Sequence, residues 1–303
     1  FPVPECRGIP PMKRQQFDSS TLPYLLIAPQ LAIIFIFFVW PAAQAVYQSF
    51  MLEDPFGLAS QFVGFDNFTE VVSNEHYARS ALFTAIFSGL VAFLSMAIAL
   101  LLAVKADGIL HGQSAYKIML TWVYAVAPAV AGMMGVFLFD RSIGPLNHLF
   151  NATGWPFNPQ LDVFDASVTV ILVSVWKQIS VNFIYFLAGL QSIPRAVREA
   201  ALIDCRNGFR RFWTVTLPLL APTGFFVLVI NITYAFFETF GVIDTMTRGA
   251  PGGGTATLVY KVYQDGFLGA DIGGSSAQSV ILMILVLGLT IVQFRVLEKR
   301  IHY

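Results

Sequence analysis

Charge is scarce in this sequence. Only 12% of its 303 residues are Asp, Glu, Lys or Arg, against roughly a quarter in an ordinary soluble domain. A surface facing water needs that charge, so much of this chain must face another solvent. The formal net charge is zero, which argues against nucleic acid as a partner, because phosphate binding needs a basic excess or patch. Cysteine is scarce too. Cys6 and Cys205 stand far apart in unlike contexts, with no metal-ligand spacing and no disulfide framework. No GxxxxGK followed by Ser or Thr occurs, and Gly252-Gly253-Gly254 runs into Thr255-Ala256, so the phosphate-cradling loop of a nucleotide site is missing. The chain opens on FPVPECRGIPP, which lacks the apolar core of a secretory signal. Met12, followed by Lys13 and Arg14, reads as a natural start, and residues 1–20 are expected to be disordered or partly upstream sequence.

What is present is apolar. Hydrophobic residues make up 56% of the chain, 29 of them Phe, and the mean hydropathy is +0.67. Crossing a hydrocarbon core of roughly 30 Å takes about 20 mostly apolar residues. Six stretches qualify: 24–47, 81–104, 118–139, 168–190, 217–240 and 275–296. The expected fold is therefore an all-α polytopic membrane protein with six transmembrane helices, a single domain over 21–303. With the N-terminus inside, the inner loops and ends collect thirteen Lys and Arg against four outside, which places both termini in the cytoplasm. Pro29, Pro41, Pro128, Pro218 and Pro222 interrupt spans. Each removes a backbone donor and crowds the preceding turn, so each marks either a bend used in motion or a tolerated break.

Few ionisable groups lie inside the spans, and each is a candidate for function by default. Lys177 sits near the middle of the fourth span, followed by Gln178, Ser180 and Asn182; Gln178 and Asn182 share a helix face at i, i+4. In the fifth span Asn231, Tyr234 and Glu238 form a stripe. Two readings stand side by side: a translocation pathway, or structural pairing, such as Lys177 with Glu238.

The loop 191–216, QSIPRAVREAALIDCRNGFRRFWTVT, is more distinctive. Ser192 can cap a helix whose first turn includes Pro194. Residues 195–206 are expected to be helical, with Ala196, Ala200 and Ile203 on one face and Arg198 and Asp204 elsewhere. Gly208 suits a turn, and 209–215 a second short helix. Small Ala200 and Ala201 allow another surface to come close. Read from the residues alone, an amphipathic loop helix carrying inside arginines serves equally well.

Glu199-Ala200-Ala201, Asp204, Gly208 and the following Leu217-Pro218 resemble the EAA loop of bacterial ABC-importer permeases. Longer segments extend the likeness over about nine tenths of the chain to the permeases of sn-glycerol 3-phosphate importers: LPYLLIAPQL (22–31), YAVAPAVAG (124–132), SVWKQISVNF (174–183), LQSIPRAVREAALID (190–204), YAFFETFGVID (234–244), TATLVYKVYQDGF (255–267) and SSAQSV (275–280). One departure stands in the loop: Cys205 and Arg206 replace the family's Gly-Ala after the Asp, which leaves the turn there to Asn207-Gly208. The resemblance implies the type I ABC-importer permease (MetI-like) fold and a place in the bacterial inner membrane. It also implies a second permease as heterodimer partner, a homodimeric cytoplasmic ATPase that uses ATP-Mg, and a periplasmic substrate-binding protein. This chain would then hold no cofactor or enzymatic site of its own. Glu199, Ala200, Ala201, Asp204 and Gly208 would couple to the ATPase, and Lys177, Gln178, Asn182, Asn231, Tyr234 and Glu238 would be pathway candidates for glycerol 3-phosphate or glycerophosphodiesters. Another sugar or polyol as cargo, and a stand-alone channel or ion-coupled carrier, remain as alternatives.

Overall fold

The computed structural model describes residues 22–53, 60–108, 113–205 and 207–298; the expectations for 1–20 and for Arg206 lie outside them. The chain divides into two units, Phe1–Tyr47 and Gln48–Tyr303. In the first, α1 (Leu22–Ile34) passes through a π-helical turn at Phe35–Val39 into α2 (Trp40–Gln48). Pro41 accounts for the wide turn: it donates no hydrogen bond, and its ring crowds the carbonyl of Phe37, four residues back.

The second unit begins with a short antiparallel hairpin, β1 (Met51–Glu53) and β2 (Ser60–Phe62). Then follow α3 (Asp66–Ser73) and α4 (Glu75–Asp107), α5 (Gln113–Thr121) with a 3-10 turn at Trp122–Ala125, α6 (Pro128–Leu138), α7 (Pro145–Ala152) and α8 (Val163–Ser192). The loop region holds α9 (Arg195–Asp204) and α10 (Gly208–Arg211), continued by a π turn at Phe212–Thr216 and α11 (Leu217–Leu219). α12 (Ala221–Thr233), a π turn at Tyr234–Glu238, α13 (Phe240–Met246), α14 (Leu258–Tyr263), a π turn at Gln264–Leu268 and α15 (Ile272–Glu298) complete the described chain. Pro218 explains the wide turn before it as Pro41 does in the first unit. At Tyr234–Glu238 no proline follows; instead the Thr239 hydroxyl donates to the Ala235 carbonyl at 3.1 Å.

Among the described residues, five helices are long and apolar enough to cross a membrane. The third expected span, 118–139, is not a single helix. Ser114–Ala125 and Pro128–Leu138 meet at 101°, because the ring of Pro128 holds Ala127 in extended conformation, with φ −60° and ψ 145°. The bent pair still has to cross. α4 and α8 run side by side in the same direction: Phe87 and Val91 share a core with Val170 and Val173, while Ala99 and Ala103 share another with Phe183 and Leu187. Two parallel spans need an odd number of crossings between them, and this pair is the apolar helical segment available, which makes six.

The rest of the core fixes these spans together. Gly132 and Gly135 of α6 lie against α13: an added Cβ at Gly132 would strike the Thr245 hydroxyl and come 3.0 Å from the Val242 carbonyl oxygen, and one at Gly135 would come 2.8 Å from Met246. Gly241 faces back onto Pro128 and Ala129 at 3.2 Å. Small residues let backbones approach where lipid supplies no hydrophobic drive. Farther along, the Thr84 hydroxyl of α4 accepts from the Leu258 amide at 2.9 Å, tying the start of α14 to the bundle. Asn67 of α3 donates to the carbonyls of Ser49 and Met51, at 3.0 and 2.9 Å, and so holds the hairpin.

Candidate coupling loop and translocation face

The loop 191–216 is built from its ends. Ser192 does not cap α9. It closes α8, its hydroxyl donating to the Gly189 carbonyl at 2.7 Å, and the N-cap position of α9 falls on Pro194 without a side-chain cap. The helix ends at Asp204 rather than 206, and Cys205 continues extended, with φ −127° and ψ 94°. The Cys205 that stands in place of the family's Gly is thus extended rather than part of a tight turn. Asn207 restarts the chain: its side-chain oxygen accepts from the Phe209 amide at 3.0 Å and caps α10. Gly208 is the first residue of that helix and has no positive φ; a Cβ there would meet nothing nearer than Arg211 at 4.0 Å.

α9 has two faces. Glu199, Ala200 and Asp204 are exposed, as is Ala196, and Ile203 is 85% exposed. Beyond α9, Phe209 is also exposed and stacks edge-on with Trp213 at 6.1 Å. Ala201 behaves differently from its neighbour Ala200. It is only 6% exposed and, with Val104, Leu190, Gly208 and Phe212, lines a cavity of about 290 Å³ behind the helix. Its small size serves packing onto this chain's own helices, not approach by another surface.

Arg198 shares that inner face. Its guanidinium donates to the Asp107 carboxylate at 2.9 Å and to the Leu190 carbonyl. Its partner lies 91 residues away, at the end of α4, where Asp107 follows Lys105 in the last turn.

Within the spans the polar residues separate into two groups. Asn182 and Asn231 are fully buried and bond each other: the Asn231 amide donates to Asn182 at 2.8 Å, and the Asn182 amide returns to Asn231 at 3.2 Å. Ser95 of α4 completes the triad, accepting from Asn182 at 2.9 Å and donating to Asn231 at 3.0 Å. The triad pins α4, α8 and α12 together, so neither Asn opens onto a path. Ser180 is spent likewise, donating to the Leu120 carbonyl at 2.7 Å.

Gln178, Tyr234 and Glu238 line a cavity of about 540 Å³ between α8, α12 and the 3-10 turn. Tyr124, Tyr185 and Thr233 also line it, the Thr233 hydroxyl donating to the Val229 carbonyl at 3.0 Å. The π turn places Tyr234 and Glu238 on this face together. Lys177 is buried and does not line the cavity. Among the described residues the ion pairs within 4.0 Å are Arg79–Glu75, Arg198–Asp107 and Lys261–Asp265, so Lys177 and Glu238 do not form the direct pair that their sequence positions allowed. A larger groove of about 770 Å³, lined by Ala85, Gly89, Ala92, Gly224 and Leu289 among others, is almost wholly apolar and offers a polar solute nothing to bond. The triple glycine lies between α13 and α14, with Gly252 and Gly253 at φ +59° and +80°. It forms a turn anchored by buried Thr255, whose hydroxyl bonds the Ala250 carbonyl at 2.8 Å.

Residues 111–303 match the family described as binding-protein-dependent transport system inner membrane component. Proteins named sn-glycerol-3-phosphate transport system permease protein UgpA are similar along nearly the whole chain. The one from Rhizobium meliloti is 52% identical over 292 residues, covering 96% of this chain and 100% of the relative. The Agrobacterium fabrum relative is 53% identical with the same coverage, and that of Yersinia pseudotuberculosis 49% identical over 96% of this chain and 99% of its own. Among solved structures, a bacterial ABC transporter involved in the import of the acidic polysaccharide alginate superposes with a TM-score of 0.79, covering 93% of this chain and 96% of the other. The same kind of transporter in complex with a pentasaccharide-bound periplasmic protein gives 0.78, covering 90% and 93%. At 20% identity these two speak for the fold. The chain belongs to the family of binding-protein-dependent transport system inner membrane components.

Proposed function

We propose that the chain is one of two permease subunits of an ATP-driven importer that moves sn-glycerol 3-phosphate across the bacterial inner membrane. The observation that carries the substrate is the half-identity, over 96% of the chain, to permeases named for that compound. The second permease, the homodimeric cytoplasmic ATPase and the periplasmic binding protein are the partners such a half-pore needs. ATP-Mg acts on the ATPase, and this chain contributes no step of hydrolysis. Both termini lie in the cytoplasm, which the thirteen inner Lys and Arg against four outer ones support. The loop 191–216 then faces the ATPase.

Its geometry suits docking. Glu199, with Ala200 and Ile203 at its sides, stands on the outward face of a short helix whose other face is held by Ala201 and Arg198. Asp204 closes that outward face, while Gly208 supports it from the cavity behind.

Translocation uses the wall formed by Gln178, Tyr234 and Glu238 with Tyr124, Tyr185 and Thr233. The Gln178 amide and the hydroxyls of Tyr124 and Tyr185 can trade hydrogen bonds with a polyol phosphate as it sheds water, while Tyr234, whose hydroxyl is buried, contributes only its ring. The Glu238 carboxylate opposes a long stay by an anion, which fits a passage that must release what it admits. Lys177, buried one residue from this wall, supplies positive potential without presenting its charge to the solute.

Glu199→Lys should leave the chain folded, since the side chain is exposed, and abolish substrate uptake by the assembled importer. Uptake of labelled sn-glycerol 3-phosphate in cells carrying the variant measures this. Normal uptake would remove Glu199 from the coupling role.

A further inference from the structure

α4 and α8 are the two longest helices of the described chain, 33 and 30 residues, and pack side by side in parallel. Their C-terminal ends therefore emerge together. Asp107 is the last residue of α4, a poor place for an acid, because a helix C-terminus already carries partial negative charge. Leu190 lies in the last turn of α8, where its carbonyl accepts from the Ile193 amide at 3.3 Å and has a second lone pair open to a further donor. A single guanidinium answers both. Arg198, on the first turn of α9, donates one nitrogen to the Asp107 carboxylate at 2.9 Å and another to the Leu190 carbonyl. Next to it Ala201 is packed down onto the same helix ends. No other ion pair among the described residues joins α9 to a spanning helix.

We infer that Arg198 is a positioning residue that transmits movement between the paired ends of α4 and α8 and the coupling helix. The inference rests on the proposed role of the loop as the ATPase contact. The fork geometry matters: a planar guanidinium reaches a carboxylate and a carbonyl at fixed angles, which a lysine ammonium does not reproduce. If α4 and α8 shift together, both acceptors carry α9 with them. If they shift against each other, the fork turns, and Glu199, the next residue of the helix and exposed, turns with it. The pair itself is worth little as a surface contact, since the Arg198 side chain is 37% exposed. Its value is geometric.

The test uses the complete importer, purified with its second permease and ATPase in lipid and presented with substrate-loaded binding protein. Its readout is the ratio of ATP hydrolysis with and without that protein, at equal amounts of assembled complex. Arg198→Gln and Asp107→Asn should each lower the ratio by about tenfold, the usual scale of coupling between sites. The double variant should be no worse than either single one, since both break one link. Arg198→Lys should fall between. Independent, additive losses, or an unchanged ratio in Arg198→Gln, would overturn the inference. Glu199→Lys in the same assay separates the two levels. Loss there with an intact ratio in Arg198→Gln would sink the strut alone, whereas intact ratios in both would sink the loop's coupling role as well.

Discussion

Asn182 and Asn231 illustrate what a polar side chain in a span can mean. In the sequence they sit on stripes with Gln178 and Glu238 and qualify as pathway residues by the same argument. In the fold they turn inward, and with Ser95 they satisfy one another in a site closed to solvent. Periodicity places a residue on a face of its helix; only the neighbouring helices decide whether that face meets a cavity or a partner. Asn231→Ala leaves the Asn182 amide and Ser95 short of a partner in a dry core. The expected cost is about 1–2 kcal/mol, the range for interhelical hydrogen bonds in membranes. It should appear as a lower thermal midpoint of the purified importer with an unchanged KM for substrate. A raised KM with an unchanged midpoint would return Asn231 to the pathway. Arg198 makes the complementary point: its role was illegible because its charged partner, Asp107, lies 91 residues away in sequence, whereas Glu199 stood in a recognisable local pattern.

Among the elements, the apolar runs fall on helices long and apolar enough to cross a membrane, except for 118–139, which falls on a bent pair, because the bilayer imposes a length that composition must meet. Their interruptions were legible only in part. Pro128 was visible, yet a proline alone does not distinguish a kink inside one helix from the 101° turn seen here. The difference lies in α6, which leaves the bend to pack on α13 through Gly132 and Gly135. A side chain at Gly132 has nowhere to go: its Cβ would strike Thr245 and press on backbone at Val242. Gly132→Val should therefore prevent close approach of the two helices and reduce the yield of folded chain in the membrane several-fold, by an overpacking cost of about 1–3 kcal/mol. Gly208→Ala, at an open position, is the control, and it should fold like the parent. Equal yields for both would show that the α6–α13 crossing is not tight in the membrane. The loop helices were read correctly as two short pieces, but their capping was not. Ser192 was drawn into α8, while Asn207 took the capping position of α10.

For the molecule as a whole, two features divide the labour. A loop helix turns Glu199, Ala200 and Ile203 outward while Arg198 and Ala201 hold it to the paired ends of α4 and α8. Some distance along α8, Gln178, Tyr234 and Glu238 line the cavity proposed as one wall of the route. Composition alone was enough to make this a membrane protein, whereas the loop suggested a partner for energy only through its resemblance to ABC-importer permeases. The cargo was never legible from spans and spacing, since hydrogen-bonding side chains such as Gln178 and Tyr124 suit any polyol. The most direct measurement is uptake of labelled sn-glycerol 3-phosphate into proteoliposomes that contain this chain, the second permease and the ATPase, with binding protein outside and ATP inside. The account predicts uptake that requires the chain, the binding protein and ATP together, and that excess unlabelled sn-glycerol 3-phosphate suppresses. Uptake that proceeds without ATP or the ATPase, or none of this compound by a complex that carries another polyol, would contradict it.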